Sequence, residues 1–381
     1  MMIINLPASP STPAPLTPVK PARLVSLDAL RGFDMFWIIG ADALVHGLRE
    51  VSDNTLIQAL ARQLEHVAWA GFHFEDLIFP MFVFIVGVSL VFSLSRTIEQ
   101  EGRPAAVKRI LHRALLMYVL GIFYYGGFST PFHQIRLLGV LQRIALSYLF
   151  TGLIFCYFGW RGRVAACAFL LLGYWALMTF VPVPGIGAGH FEPGQNLANY
   201  VDKQYLPLRK WNGDYDPEGL LSTLPAIANC LMGVFAGGLL KSRLNDPRKV
   251  LYLLSAGLAS ALLGYLWDSQ FPVIKNLWTS SFVLVAVGYS SILLALFYLI
   301  VDVWKFQKWA LPFIWIGMNS ITIYMIHNLV DIDAVAARFV GGDFKKLYLA
   351  QYGSLAAALV AVAISFVICR FLYNRKIFLR L

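Results

Sequence analysis

The sequence predicts an all-α, polytopic integral membrane protein with about ten transmembrane helices and both termini cytoplasmic. Three observations predict it. Apolar residues make up 58% of the 381 positions and charged residues only 14%, against about 25% charged in a soluble globular domain. Apolar runs of about 20 residues, the length that crosses a bilayer core, recur between charged or Pro/Gly-rich breaks. Lys and Arg alternate between dense and sparse loops, as the positive-inside rule demands. The aromatic content of 14% suits the same class, because Trp and Tyr settle at membrane interfaces.

The elements follow in order. Residues 1–22 carry Pro10, Pro13, Pro15, Pro18 and Pro21 and read as a disordered cytoplasmic tail. They lack the apolar core of a signal peptide, so the tail is expected to stay on the chain. Residues 23–381 read as one transmembrane domain. Its spans fall at roughly 24–46, 72–95, 110–126, 137–159, 164–182, 220–240, 250–267, 278–301, 311–330 and 353–373. With the N-terminus inside, 19 basic residues face the cytoplasm and 10 the outside, leaving Arg31 and Arg143 within spans. The net charge of +10 is explained by these inner loops and does not call for nucleic acid. The longest loop, 183–219, lies outside and is long enough to serve as a lid or binding wall. Cys156, Cys167, Cys230 and Cys369 sit in apolar runs without pairing motifs and read as small buried hydrophobes. No HExxH or Cys/His grouping supports a metal.

Ionisable residues inside a bilayer are functional candidates because each costs several kcal/mol unless paired or wet. The first span holds Asp28, Arg31, Asp34 and Asp42, so it must face protein or water. Asp28 and Arg31 are three apart and share a helix face. At 1.5 Å per residue, Asp76 lies roughly 6 Å and Arg143 roughly 9 Å below the outer face, matched closely enough for a structural ion pair. Asp42 and His327 lie near the outer ends of their spans. These groups converge under His66, in Leu64-Glu65-His66-Val67-Ala68-Trp69 just before the second span. A histidine there can act as base or nucleophile. Spacing alone leaves open whether Glu65 or Trp69 orients its ring. His46, His73, His112, His133 and His190 read as mostly interfacial.

Several stretches share a further property. Arg23-Leu24-Val25-Ser26-Leu27-Asp28-Ala29-Leu30-Arg31-Gly32 enters the first span, and His66-Val67-Ala68-Trp69-Ala70-Gly71 precedes Asp76-Leu77-Ile78-Phe79-Pro80 and Phe84-Ile85-Val86-Gly87. Gly139-Val140-Leu141-Gln142-Arg143, Asp216-Pro217-Glu218-Gly219-Leu220-Leu221-Ser222-Thr223, Lys275-Asn276-Leu277-Trp278 and Gly317-Met318-Asn319-Ser320 follow. In this order the set resembles the heparan-α-glucosaminide N-acetyltransferase family and its bacterial relatives, from about residue 23 to about 330.

The resemblance implies an acetyl transfer across the bilayer, from cytoplasmic acetyl-CoA to the amine of a glucosamine-type sugar outside. The family's His-x-x-Trp-x-Gly motif maps its active histidine onto His66. Its first-span catalytic partner, an asparagine, maps onto Asp42; an aspartate there could act as a base where asparagine only hydrogen-bonds. The implied mechanism has His66 deprotonate the amine or carry the acetyl group, with Asp42 orienting it. Arg31, Lys108, Arg109 and Arg113 are the candidate cations for the nucleotide phosphates, with solvated inner loops as the alternative. Asn319 is expected beside the pantetheine arm, and Asn276, with Lys275, Trp69 and His327, around the acceptor or thioester. Asp76 and Arg143 are expected to hold the scaffold. No metal is expected. The expected partners are acetyl-CoA, an amino sugar and membrane lipids, and a homodimer is compatible with them. The expected location is a bacterial inner membrane. The alternative reading is an amino-sugar transporter or flippase, which intramembrane charges suit equally well.

Overall fold

The computed structural model describes residues 24–342, 349 and 352–379. The expected tail at 1–22 lies outside the described residues. Among the described residues the chain is helical, without strands, and its β-pairing is limited to isolated bridges. Seven helices are long and apolar enough to cross a membrane, or eight if a bent pair forms one span.

The first expected span, 24–46, is not one continuous helix. α1 (Val25–Phe36) passes through a π-helical stretch, Trp37–Ala41, into α2 (Asp42–Val51). The break falls at Gly40, whose φ of 115° is open to glycine and strained for other residues. Asp28 and Asp34 are buried, so α1 turns its charges into the bundle as their cost in lipid requires. α3 (Thr55–Gln63), capped by Asn54, leads to the loop that carries His66.

The expected spans 72–95 and 110–126 are the two arms of one element, α4 (Phe74–Tyr124), which breaks at Gly102 with φ 84°. α5 (Val140–Tyr157) packs on α4, and α6 (Trp160–Phe180) follows. The outer-loop segment contains α7 (Leu197–Tyr205). Then come α8 (Thr223–Lys241), α9 (Asp246–Trp267) and α10 (Ser280–Phe297), whose end turns π-helical over Tyr298–Val303. The expected span at 311–330 is bent by 63° between α11 (Leu311–Gly317) and α12 (Ser320–Leu329). α13 (Ile332–Val340) and α14 (Gly353–Asn374) end the described chain.

Small residues bring the inner helices together, as expected where lipid removes the hydrophobic drive between helices. A Cβ at Gly32 would collide with the Phe313 carbonyl, and one at Gly317 with the Asp28 carbonyl, so α1 and α11 cross backbone to backbone. Gly87 and Gly233 do the same for α4 and α8. The best apolar window of α4 is 72% buried against 22% for α6. The first is therefore a central helix and the second presents most of its surface outward.

Candidate active site: two cavities and a shared apolar wall

The His66 loop is fixed from three sides. Gly71 N–H donates to the Val273 carbonyl at 2.9 Å, and Ala70 bridges Ile274. This pairing sets the loop that bears Lys275 against the loop that bears His66. Trp69 Nε1 donates to the Phe191 carbonyl at 2.9 Å, tying the site to the outer loop. His73 Nδ1 meets the Glu65 carbonyl at 2.8 Å, and Glu65 pairs with Arg49 at 2.5 Å.

Neither Glu65 nor Trp69 orients the imidazole. Asp76 does, from the first turn of α4. Its Oδ1 lies 3.1 Å from His66 Nδ1, and its Oδ2 accepts the backbone N–H groups of His73 and Val67 at 3.1 and 3.3 Å. The carboxylate is thus held at a helix N-terminus, where backbone donors and the dipole favour an anion. Lys275 Nζ approaches the same Nδ1 at 3.1 Å and Asp76 Oδ1 at 3.4 Å. Burial pushes the Lys275 ammonium down, and Asp76 and Glu75 pull it back up. Nδ1 cannot both donate to Asp76 and accept from Lys275. With Nδ1–H on Asp76, Nε2 is bare and able to take a proton or an acyl group. With Lys275 donating, Nε2 carries the hydrogen.

The expected Asp76–Arg143 pair does not form. Arg143 donates to Ser222 and its guanidinium stacks 4.7 Å from the centre of the Trp278 ring. Matching depth fixed their height along the bundle and said nothing of the direction each faces. Asp42, expected as the partner of His66, makes no hydrogen bond to it. It lies past the Gly40 break, within electrostatic range of Glu75.

His66, Trp69, Asp76, Lys275 and Asn276 line one cavity of ≈ 590 Å³. Glu75, Tyr125, Arg136, Trp211, Glu218 and Tyr324 line it too, and the sequence had not singled these out. Arg136 grips Asp216 through Nε at 2.8 Å and Nη2 at 2.6 Å, and also binds Glu218. Although burial opposes its charge, these carboxylates hold the guanidinium above its ordinary range. Asp202 on α7 accepts Leu220 N–H at 2.8 Å and Asp216 N–H at 3.3 Å, fixing this wall. Burial pushes its carboxyl up to about 6.

A second cavity, ≈ 650 Å³, is lined by Arg31, Arg109, His112 and Arg113 with Ser89, Ser93 and Tyr148, and none of its lining residues is acidic. Arg31 donates to Ser89 at 2.7 Å and pairs with Asp28 from behind. Arg109 donates to Thr97 at 3.1 Å, and Arg113 Nε is buried without a hydrogen-bond partner among the described residues. Lys108 is exposed and off the cavity. Asn319 and His327 line neither cavity. Asn319 is buried at the bend before α12, where its amide donates to the Trp315 carbonyl at 3.2 Å. His327 Nδ1 is buried without a partner.

The cavities lie end to end. Along α4 the first takes Glu75 to Phe82 and the second takes Phe82 to Ser93. Along α5 the first takes Val140 to Ile144 and the second takes Leu141 to Tyr148. Phe82, Leu141, Ile144 and Ile321 line both, so the cavities adjoin along an apolar wall that these four residues share. Among the described residues no group of His, Cys, Asp and Glu could hold a metal ion.

The family model for heparan-alpha-glucosaminide N-acetyltransferase, catalytic, matches residues 23–266. Similar curated proteins are the heparan-alpha-glucosaminide N-acetyltransferases of Mus musculus, 26% identical, and Homo sapiens, 28% identical, each match covering 82% of this chain. The chain spans 56% and 55% of their lengths, about half of each. His66, Asp76 and the second cavity's Arg31, Arg109 and Arg113 all fall within the matched segment. The chain belongs to the heparan-alpha-glucosaminide N-acetyltransferase catalytic family.

Proposed function

We propose that this chain is a transmembrane acetyltransferase that moves an acetyl group from acetyl-CoA to the amine of a glucosamine-type sugar. One observation carries the reading: two cavities of different chemistry, one of interlocked acids and bases and one basic, stand end to end and share an apolar wall. The basic cavity suits a polyphosphate donor, because arginines bind phosphates through charge-assisted hydrogen bonds. The unpartnered Arg113 Nε is a donor awaiting such an acceptor. The His66 cavity offers the carboxylates of Glu75, Asp76 and Glu218 beside its bases and suits an amine. The wall suits a thin thioester-bearing arm inserted from one side, and it opposes through-passage of a hydrated sugar, which disfavours the transporter reading.

In the proposed reaction the sugar ammonium first loses a proton to solvent or to His66 Nε2. The amine nitrogen attacks the thioester carbonyl, the C–S bond breaks, and the thiolate is reprotonated. The products are the amide, free CoA and one proton. Asp76 holds Nδ1–H and so keeps Nε2 bare for the step. In the variant with His66 as acyl carrier, Nε2 takes the acetyl group first and the amine attacks that acyl-imidazole. The phosphates lie at the cytoplasmic end and the sugar at the outer end of an inner membrane.

The test uses purified protein in sealed liposomes, with acetyl-CoA supplied on one side and glucosamine on the other. CoA release that requires the amine supports the proposal. Sugar counterflow without any acyl-CoA, together with no CoA release, would overturn it. Labelled acetyl-CoA given without acceptor separates the two chemical routes, because only the acyl-carrier route leaves label on His66.

A further inference from the structure

The first cavity's wall opposite in sequence to the His66 loop is built from α4's end and the outer loop. There Arg136 sits in the notch between two aromatic rings, 4.6 Å from the centre of Tyr125 and 4.9 Å from that of Trp211. Both Arg136 nitrogens that face Asp216 are engaged by that buried carboxylate. Glu218 adds a second carboxylate to the one guanidinium, through Oε2. Arg136 therefore serves two carboxylates at once, and Glu218 also lies within electrostatic range of Arg143 and Lys275. Glu218 is the less occupied of the two carboxylates, because its Oε1 accepts no hydrogen bond among the described residues. Asp216 has no such open oxygen, since both of its oxygens are occupied by Arg136 and by backbone N–H groups of Trp211 and Glu218.

The position also relates to the chemistry. Glu218 is within electrostatic range of Lys275, which touches His66. The other acid free on the lining, Glu75, has its Oε2 shut away from solvent. Beside Glu218 stands Trp211, 56% exposed and lining the same cavity. Sugar rings present C–H-rich faces that pack on aromatic rings, and an ammonium seeks a carboxylate with an unused lone pair.

We propose that Glu218 anchors the acceptor's ammonium and that Trp211 packs against its ring, so that this cluster selects a cationic amino sugar over a neutral one. Arg136 and Asp216 are positioning residues: they hold Glu218 and the two rings in place. The inference rests on the acetyltransferase reading for the identity of the acceptor, but its test needs no transfer.

Binding of glucosamine and of glucose to the purified full chain is measured without acetyl-CoA, by calorimetry. Wild type should bind glucosamine at least tenfold more tightly than glucose. Glu218→Gln, which keeps the side chain's size, should bring the two affinities within about twofold by removing one charge-assisted hydrogen bond. Trp211→Ala should weaken both sugars alike. Equal affinities in wild type would overturn the proposal even if Glu218→Gln did not fold. Retained selectivity in a folded Glu218→Gln protein would overturn it as well. Selective binding without any acetyl transfer would remove the acetyltransferase reading and leave the amine anchor standing. Transfer to glucosamine with unaltered selectivity in Glu218→Gln would do the reverse.

Discussion

The two cavities are similar in size and built on the same helices, yet they hold their charges differently. In the His66 cavity acids and bases are interlocked: Asp76 with His66 and Lys275, Arg136 with Asp216 and Glu218. In the other cavity the described lining holds three arginines and no acid; Arg31 donates to Ser89 and pairs with Asp28 behind it, and Arg109 donates to Thr97. The first arrangement fixes side chains in advance, as proton transfer needs. The second leaves the buried Arg113 Nε without a hydrogen-bond partner among the described residues, as recognition of a polyanion needs. On the proposed reading, chemistry and donor binding fall at separate ends of one bundle, and each is then expected to be disturbed without the other.

The sharpest way to test that separation is His66→Ala. It should lower amine-dependent CoA release by about 10²- to 10⁴-fold, the usual worth of a positioned acid–base group. Acetyl-CoA affinity, measured on the same preparation, should not move. Loss of both together would mean the cavities act as one.

Asp76→Asn should come next, at a fraction of the ~10⁴-fold cost of losing the aspartate of a catalytic triad. An amide can donate toward Nδ1 and so favours the tautomer with hydrogen on Nε2. The loss should fall on kcat, with the KM for both substrates preserved, and rate measurements across pH would show it.

Arg113→Ala belongs to the other end. Removing a charged donor is worth roughly 1.5–3 kcal/mol, or about 10- to 100-fold in acetyl-CoA affinity. The acceptor KM should stay constant. A change in acceptor KM alone would assign the basic cavity to the sugar instead.

The smallest expected effect concerns pH and the outer loop. Asp202 is raised from 3.8 to about 6 by burial. A carboxyl raised on folding binds protons more readily in the folded state, so its contribution to stability is full below 3.8 and is lost as pH rises through about 6. Asp202→Asn should flatten that part of the stability curve by at most one proton's slope, read from melting temperatures in detergent. Donor binding at the basic cavity should not follow it.

Much of the architecture was legible because apolar length is a local property. All ten expected segments contain helix. The bends at Gly40 and between α11 and α12 were not legible, since a glycine or an Asn-Ser pair inside an apolar run does not announce its backbone angles. At the site, His66 stood out as a titratable group in an apolar chain, and the resemblance added Lys275, Asn276 and Trp69. These do line one cavity. Asp76 was noticed but assigned to Arg143, because depth along a helix gives height without azimuth. Arg136 and Glu75 were overlooked because they lie in a loop and at a helix end, where charge is ordinary, and Glu218 stood in a quoted motif without a role. The Arg136 partners are 80 and 82 positions away, and only the fold brings them together.

The wall of Phe82, Leu141, Ile144 and Ile321 also has an electrical meaning. Where wet, polar cavities reach inward from both ends of a bilayer core ~30 Å thick, the membrane voltage falls mostly over what separates them. A unit charge crossing the full voltage gains or loses about 2.3 kcal/mol per 100 mV. Under the proposed reaction, an acetyl group crosses outward, and the second proton that the attacking nitrogen loses crosses inward to the thiolate left behind, so no net charge moves. The ammonium's first proton leaves on the side where it arrived, and the phosphates stay on theirs. Turnover would then perform no electrical work, draw on no ion gradient, and run at the same rate in an energised membrane as in a depolarised one.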